Sequence, residues 1–460
     1  MATTSVLPTG SSGRVLRRGE SGYEDARRSA VWNARKPPRH PDLIVTVASD
    51  RDVVAAVDHA RAHGLKLAVR AGGHSMCGSP LREGGMLLDL SRLRDISINP
   101  SEGTAIVQPA VTARDLARAL AEHGLAFPVG HCGSVPVSGY LLSGGLGWNV
   151  GAWGPACFSL RRLWAVTAGA ELVTADAREN PGLLWAARGA GPGFPAVATR
   201  FEVGLQPLPG SIRTSTFVYT LADVEEVSAW AAELVPSLPR FVELHLVLAS
   251  APPGSPAGPA GKALGVSATA FADTADEAER ALAPLLSCPA LGRALVRREN
   301  RPSSIESLQD ELGTMFPEHH RYLEESLWSD QPLPVVLPRL PEYLVGAPSA
   351  KSFVLTGALP PRPEGVHLPD AAFSMAGRTF ILSYAIWEDE ADDPANERWF
   401  RRLVDGVEPL SHGHYVAETD LFAGRSRAAG SFAPPNWEKL RTLRAEYDPD
   451  HVFHTFPDEG

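Results

Sequence analysis

The chain has 460 residues, 44% hydrophobic and 21% charged, a globular composition that excludes fibrous and disordered classes and is long enough for two domains. Its 43 basic against 53 acidic residues leave a net charge of −10, which argues against nucleic acid or an anionic membrane surface as a partner, because no basic stripe is at hand to displace counterions. No apolar run has the length of a membrane helix and the first 42 residues lack the apolar core of a secretory signal, so the expected location is cytoplasmic; the oligomeric state is left open.

Residues 43–47 read as a strand, and Ser49 as the cap of a helix whose Val53, Val54 and Val57 share one face. Residues 66–70 form the next strand and run into the glycine-rich stretch Arg70-Ala71-Gly72-Gly73-His74-Ser75. Strands follow at 86–90 and 104–110, then a helix over 112–123 with Leu116 and Leu120 one turn apart. Residues 163–175 read as a hairpin, Pro181 opens a short helix, and 196–205 is strand-like, after which a first domain closes near Pro209. A new alternation begins at Ile212, with strands at 212–220, 241–248 and 264–271 and helices at 223–234 and 273–286: a separate sheet with helices on one side. The segment 251–262, rich in Pro, Gly and Ala, reads as a surface loop within this unit. Strands at 352–358 and 380–387 and a helix opened by Asp393-Pro394, with Trp399, Phe400, Leu403, Val404 and Val407 on its apolar face, follow.

Two glycine-rich stretches carry the chemistry. The first, ending in His74 and Ser75, follows a strand and suits backbone N–H groups brought against a phosphate, with a nucleophilic imidazole on the rim. The second runs from Gly130-His131-Cys132-Gly133 to Ser138-Gly139 and on through Ser143-Gly144-Gly145-Leu146-Gly147, and it exposes a thiol between glycines. Both side chains could be alkylated by an electron-poor ring such as a flavin. The glycines do not fall as G-x-G-x-x-G, and Gly73 to Gly78 is one residue too long for the nucleophile elbow of a hydrolase. Four irregularly spaced cysteines fit neither a disulfide framework nor a zinc site, so Cys77, Cys157 and Cys288 are read as structural and no metal is expected.

Taken in order, residues 41–47 with the helix after them, 70–75, 130–147, 183–191, 197–201, 436–440 and 447–453 resemble the FAD-linked oxidases related to berberine bridge enzyme, within the vanillyl-alcohol oxidase and p-cresol methylhydroxylase superfamily. The resemblance implies an α+β fold: a two-part FAD-binding domain of the vanillyl-alcohol oxidase type with an inserted substrate domain of antiparallel sheet plus helices. The expected division is residues 1–209 for the FAD-binding domain, 210–410 for the substrate domain, and 411–460 for a C-terminal segment that rejoins the first.

The same resemblance implies bicovalent FAD, with His74 bonded to the 8α-methyl carbon and Cys132 to ring carbon C6. Arg70, Ala71, Gly72, Gly73 and Ser75 would hold the cofactor from one side, and Ser138, Gly139, Ser143, Gly144, Gly145 and Gly147 from the other. Val197 and Asn436, inside matched segments, are carried over as cofactor contacts, and Val135, third after the cysteine, falls where the family is said to gate oxygen. Pro136 and Ser138 stand where many relatives carry glycine, and Tyr415-Val416-Ala417-Glu418 where relatives commonly read Tyr-Val-Asn-Tyr.

The implied reaction is hydride transfer from an alcohol, amine or benzylic-type C–H of a sugar, alkaloid or other secondary metabolite, aided by a base, with oxygen reduced to hydrogen peroxide. Glu418 and Tyr415 are the candidate bases, although Glu418 reads equally well as a solvated acid beyond a strand end. Glu243 and His245 alternate with apolar residues and share a strand face, which either lines the substrate pocket or meets water. A dehydrogenase using another acceptor, a hydrolase, and a protein that merely binds flavin or a drug are the alternatives.

Overall fold

The computed structural model describes residues 6–255, 261–358, 368–424 and 426–457; residues 256–260 of the loop expected at 251–262 lie outside them. Strands β1 (Arg14–Arg17), β2 (Leu43–Thr46), β3 (Leu67–Arg70) and β4 (Met86–Asp89) form a sheet in the order β1-β2-β4-β3. β4 runs parallel to both β2 and β3, and all three are short and largely apolar, as strands of a covered parallel sheet are. Helix Asp50–Ala62 makes the crossover; the Ser49 hydroxyl caps it by accepting the Asp52 N–H, and Val53 and Val57 are fully buried against the sheet.

β5 (Ile96–Asn99) and β6 (Thr104–Val107) open a second sheet, after which the two-residue β7 (Leu125–Ala126) leads to the long β8 (Leu160–Thr167), β9 (Leu172–Ala175) and β10 (Ala196–Gly204). These pair antiparallel in the order β5-β6-β10-β8-β9, while β7 pairs with β11 (Gln206–Pro207).

The third sheet comprises β12 (Ser211–Thr220), β13 (Val242–Ser250), β14 (Lys262–Ala272), β15 (Val296–Ser303), β16 (Arg321–Ser329), β17 (Phe353–Gly357) and β18 (Thr379–Trp387), all antiparallel, in the order β15-β12-β14-β13-β17-β18-β16. Its two faces differ. On β13, Leu244, Leu246 and Leu248 pack into a core with helices Val224–Leu234, Ala275–Leu282 and Asp393–Val407, while His245, Val247 and Ala249 face a cavity. The sheet is thus a roof with helices on its far side.

Six strands escape the sequence pattern, β1, β5, β7, β11, β15 and β16, and all six are sheet edges. β15, Val-Arg-Arg-Glu-Asn-Arg-Pro-Ser, is polar and carries Pro302 because an edge strand pairs on one side only. A further difference lies at Val137–Leu142: this stretch, expected as part of a glycine loop, is a short helix entered through Pro136. After helix Pro434–Tyr447 the chain returns to the first sheet, where the Leu67 N–H donates to the Val452 carbonyl at 2.7 Å and the His454 N–H to the Leu67 carbonyl at 2.8 Å. The Asp448 carboxylate fixes this return by accepting the N–H groups of Val452 and Phe453.

Candidate functional site

Between the roof and the first two sheets lies a cavity of about 1170 Å³. This exceeds the roughly 300–1,000 Å³ of ordinary small-molecule pockets. One wall is Arg70 to Ser75, where the chain leaves β3. Gly73 has φ +73°, and a Cβ there would lie 2.2 Å from the Ala30 carbonyl oxygen, so only glycine fits. A Cβ on Gly72 would lie 2.2 Å from Cγ of Pro136, which means the second glycine segment packs directly over the first. Pro136 therefore keeps the two walls in register. The His74 ring stacks on Trp32, with centroids 5.2 Å apart and planes 21° apart. Burial and the Arg70 charge lower its pKa to about 4, so the imidazole is neutral.

Cys132 and Val135 line the same cavity. Their loop is tied to the start of helix Ala113–Ala121: the Ala113 and Arg114 N–H groups donate to the carbonyls of Val135 and Gly133 at 2.9 and 3.0 Å. Burial, with the nearby Glu418 and Glu324 carboxyls, pushes the Cys132 thiol up to about 12. Cys77 meets the Ser75 hydroxyl at 3.3 Å, and Cys157 and Cys288 are buried.

The opposite wall carries Tyr415 and Glu418 on a loop fastened to β16. Ser326 accepts the Tyr415 N–H at 3.0 Å and donates to its carbonyl at 3.1 Å. Beside it, buried Glu325 pairs with Arg427 at 2.9 Å and His414 at 3.1 Å, and accepts from the Thr419 hydroxyl. The Tyr415 hydroxyl oxygen accepts the N–H groups of Gly145 and Leu146 at 3.0 and 3.4 Å, and burial raises its pKa strongly. Glu418 faces the cavity, where desolvation, opposed by the His131 charge, lifts its carboxyl to about 7. The reading as a solvated surface acid does not hold.

Glu324, absent from the sequence reading, also lines the cavity, and burial together with the Glu418 charge holds its carboxyl well above the usual range. Its signal was the alternation Tyr322, Glu324, Ser326, Trp328, obscured because β16 went unrecognised. Glu243 and His245 share one face, as expected, and that face is interior. His245 lines the cavity, its pKa lowered to about 4 by burial, while Glu243 is 3% exposed and accepts the Val150 N–H at 3.0 Å.

Several expected cofactor contacts lie elsewhere. The Val197 side chain points into the apolar core under the first sheet, and its neighbours Ala196 and Ala198 face the cavity. Asn436 donates to the Ala371 carbonyl at 2.7 Å and steadies helix Pro434–Tyr447. Gly144, Gly145 and Gly147 do not line the cavity; a Cβ on each would strike Phe373, Ala156 and the Tyr140 hydroxyl respectively, so they are glycines for close packing. Ser138, Gly139 and Ser143 do line it.

The cavity suits an anionic dinucleotide. Gly72 and Gly73 line it with backbone alone, and buried nitrogens without hydrogen-bond partners, Arg70 Nε, Arg82 Nε and His454 Nε2, belong to residues that line it too. Arg82 has no carboxylate against it among the described ion pairs, and burial lowers its pKa to about 10. Arg70, by contrast, is paired with Asp89 at 3.0 Å. Among the described residues, no helix is long and apolar enough to cross a membrane.

Residues 41–176 match the family described as FAD binding domain. FAD-linked oxidoreductase ptmO of Penicillium ochrochloron is 30% identical over 95% of this chain and 94% of its own length. Of solved structures, 6-hydroxy-D-nicotine oxidase from Arthrobacter nicotinovorans superposes with a TM-score of 0.85 at 22% identity, covering 99% of this chain and 98% of that one. An isoleucine-to-valine variant of the grass pollen protein Phl p 4, described as a glucose oxidase, has a TM-score of 0.80 at 19% identity over 96% of this chain and 95% of its own, and the wild type is described as a glucose dehydrogenase. At these identities the structural likeness speaks for the fold alone.

Proposed function

The chain belongs to the FAD-linked oxidoreductases of the berberine bridge enzyme-like family, and from that premise we propose an oxidase that holds FAD through two bonds, from His74 and Cys132, and oxidises an alcohol, amine or activated C–H of a sizeable secondary metabolite. The observation that carries this reading is the single cavity joining the glycine cradle, both nucleophiles and a buried carboxyl poised near neutrality. The hydrolase alternative falls with the family.

FAD, when bound, would supply a two-electron acceptor for a substrate hydride and a donor to oxygen, with hydrogen peroxide as the product. The chain supplies the rest. Arg82 and the Gly72-Gly73 backbone bind the anionic part, and neutral His74, with its lone pair available and its ring fixed by Trp32, presents a nucleophile to the ring system. Glu418 takes the proton from the substrate O–H or N–H. Burial and the Glu418 charge keep Tyr415 protonated, and its oxygen, which accepts the Gly145 and Leu146 N–H groups, positions the loop. The apolar roof residues of β17 and β18, Leu355 and Leu382 among them, exclude water over the site.

Covalent attachment is tested by acid precipitation with intact mass. Colour stays with the pellet, the mass exceeds the chain by one FAD, His74→Ala and Cys132→Ala each keep one bond, and the double variant releases its flavin. Colour that washes out of the wild type would overturn the anchors while leaving a flavoprotein. Peroxide formed in step with substrate oxidation supports the oxidase assignment over a dehydrogenase.

Oxygen as acceptor is supported by Val135, a small side chain on the cavity wall, and by the change from dehydrogenase to oxidase in the descriptions of wild-type Phl p 4 and its isoleucine-to-valine variant. Val135→Ile is expected to slow reoxidation by dissolved oxygen and to leave anaerobic reduction by substrate unchanged, as read by stopped-flow absorbance. Equal reoxidation rates in the two proteins would remove Val135 as the gate.

A further inference from the structure

One cluster has no part in the proposed reaction. His131, Glu243 and His245 each offer a ligand atom, and the three atoms lie within 4.8 Å of one another. They come from the loop before Cys132 and from two positions on one face of β13, so the roof and the cavity floor both contribute. Glu243 is 3% exposed; its Oε1 is held by the Val150 N–H at 3.0 Å, while its Oε2 has no hydrogen-bond partner. Nε2 of His131 is likewise buried and without a hydrogen-bond partner, and it stands 3.8 Å from that oxygen, too far for a hydrogen bond. The His131 ring is edge-on to Trp148, with centroids 4.3 Å apart, and edge-on to His245 at 5.8 Å.

We propose that His131, Glu243 and His245 bind a divalent transition-metal ion at the edge of the cavity. Two imidazoles and a carboxylate are a donor set that zinc and ferrous ions accept. Metal–ligand bonds of about 2.0–2.1 Å in tetrahedral geometry put ligand atoms about 3.3 Å apart, so small side-chain rotations close the observed spacing. An ion between Nε2 and Oε2 satisfies both orphaned atoms at once. The hydrogen bond from Val150 is the outer contact that orients a ligating carboxylate. Both histidines line the cavity, which leaves the remaining coordination position open toward it. That position takes an oxygen ligand, either water or a hydroxyl or carbonyl oxygen of the substrate, which the ion polarises.

The proposal does not rest on the flavin reading, because the ion is bound by the chain alone. The experiment uses the full chain without an affinity tag, with His63→Ala in every sample to remove the surface imidazole pair His59 and His63, whose rings stack at 4.0 Å. The protein is stripped with chelator, dialysed against zinc chloride and then against buffer, and its metal is counted by elemental analysis. The expected result is about one retained zinc per chain, with affinity about tenfold or more weaker in Glu243→Gln and in His245→Gln. Glu243→Gln retains an acceptor for the Val150 N–H, and unchanged circular dichroism shows that the fold survives; if it does not fold, His131→Gln, on a side chain 28% exposed, takes its place. Iron in the protein as purified, lost in the same variants, supports the site equally. No retained zinc in the parent, or equal retention in the variants, overturns the proposal and leaves a carboxylate–imidazole pair only.

Discussion

Glu418→Gln is expected to slow anaerobic reduction of the bound flavin by about 10²–10⁴-fold while leaving flavin content unchanged, the range for removing a positioned general base. The pH dependence gives the sharper reading. Burial raises the Glu418 carboxyl from the ordinary range to about 7, and only the deprotonated form accepts a proton. The rate of reduction therefore climbs as pH rises through about 7 and levels off above it, and this inflection disappears in the glutamine variant. Stopped-flow traces under nitrogen across the pH range measure both. An undiminished rate, or an inflection that survives the substitution, would falsify the role. Burial and the Glu418 charge hold the neighbouring Glu324 carboxyl well above the usual carboxylate range as well.

Arg427→Ala is expected to cost about 3–5 kcal/mol, because it strands the Glu325 carboxylate, 2% exposed, without its guanidinium. His414 at 3.1 Å and the Thr419 hydroxyl remain, and neither carries a fixed positive charge. The damage is not only to stability. Glu325 and Ser326 are adjacent on β16 and together hold residues 414–419, so Tyr415 and Glu418 lose their placement as well. Removing both charges, as in Glu325→Leu with Arg427→Met, leaves no buried ion uncompensated and is expected to recover most of the stability but not the activity. Denaturant unfolding measures the first, substrate turnover the second. Equal stability of Arg427→Ala and the parent would show that the ion pair is not what fastens the loop.

The two glycine-rich cavity walls are legible because their signals are local: glycines at tight turns and close approaches, with nucleophiles beside them. The central strands of the third sheet are legible for a related reason, since β13 is largely apolar and alternates apolar and polar residues from Val242 to Leu246. What the alternation at Glu243 and His245 cannot say is whether the polar face meets water or a cavity, because both demand the same residues. Edge strands such as β15 fail for want of an apolar face. At Val197 the strand is legible, but which of its side chains face the cavity turns on a one-residue phase that the sequence leaves open. The glycines at 144, 145 and 147 stand where close packing against Phe373, Ala156 and Tyr140 requires them, and in sequence a residue that permits close packing looks the same whether its neighbour is a ligand or a side chain. His131 and Glu243, far apart in sequence, converge only through the fold.

The pairing of Leu67 with Val452 and His454 has a consequence for biosynthesis. Phe453, His454 and Thr455 form part of the cavity wall, yet they leave the ribosome long after the cradle at Arg70 to Ser75. At about 5–20 residues per second, the early wall waits roughly 20–80 s for its late partner. Throughout that interval the nascent chain has no closed chamber. Cofactor capture is thus expected to follow synthesis of this segment, and shortening the chain before Val452 is expected to abolish loading even though every cradle residue is present.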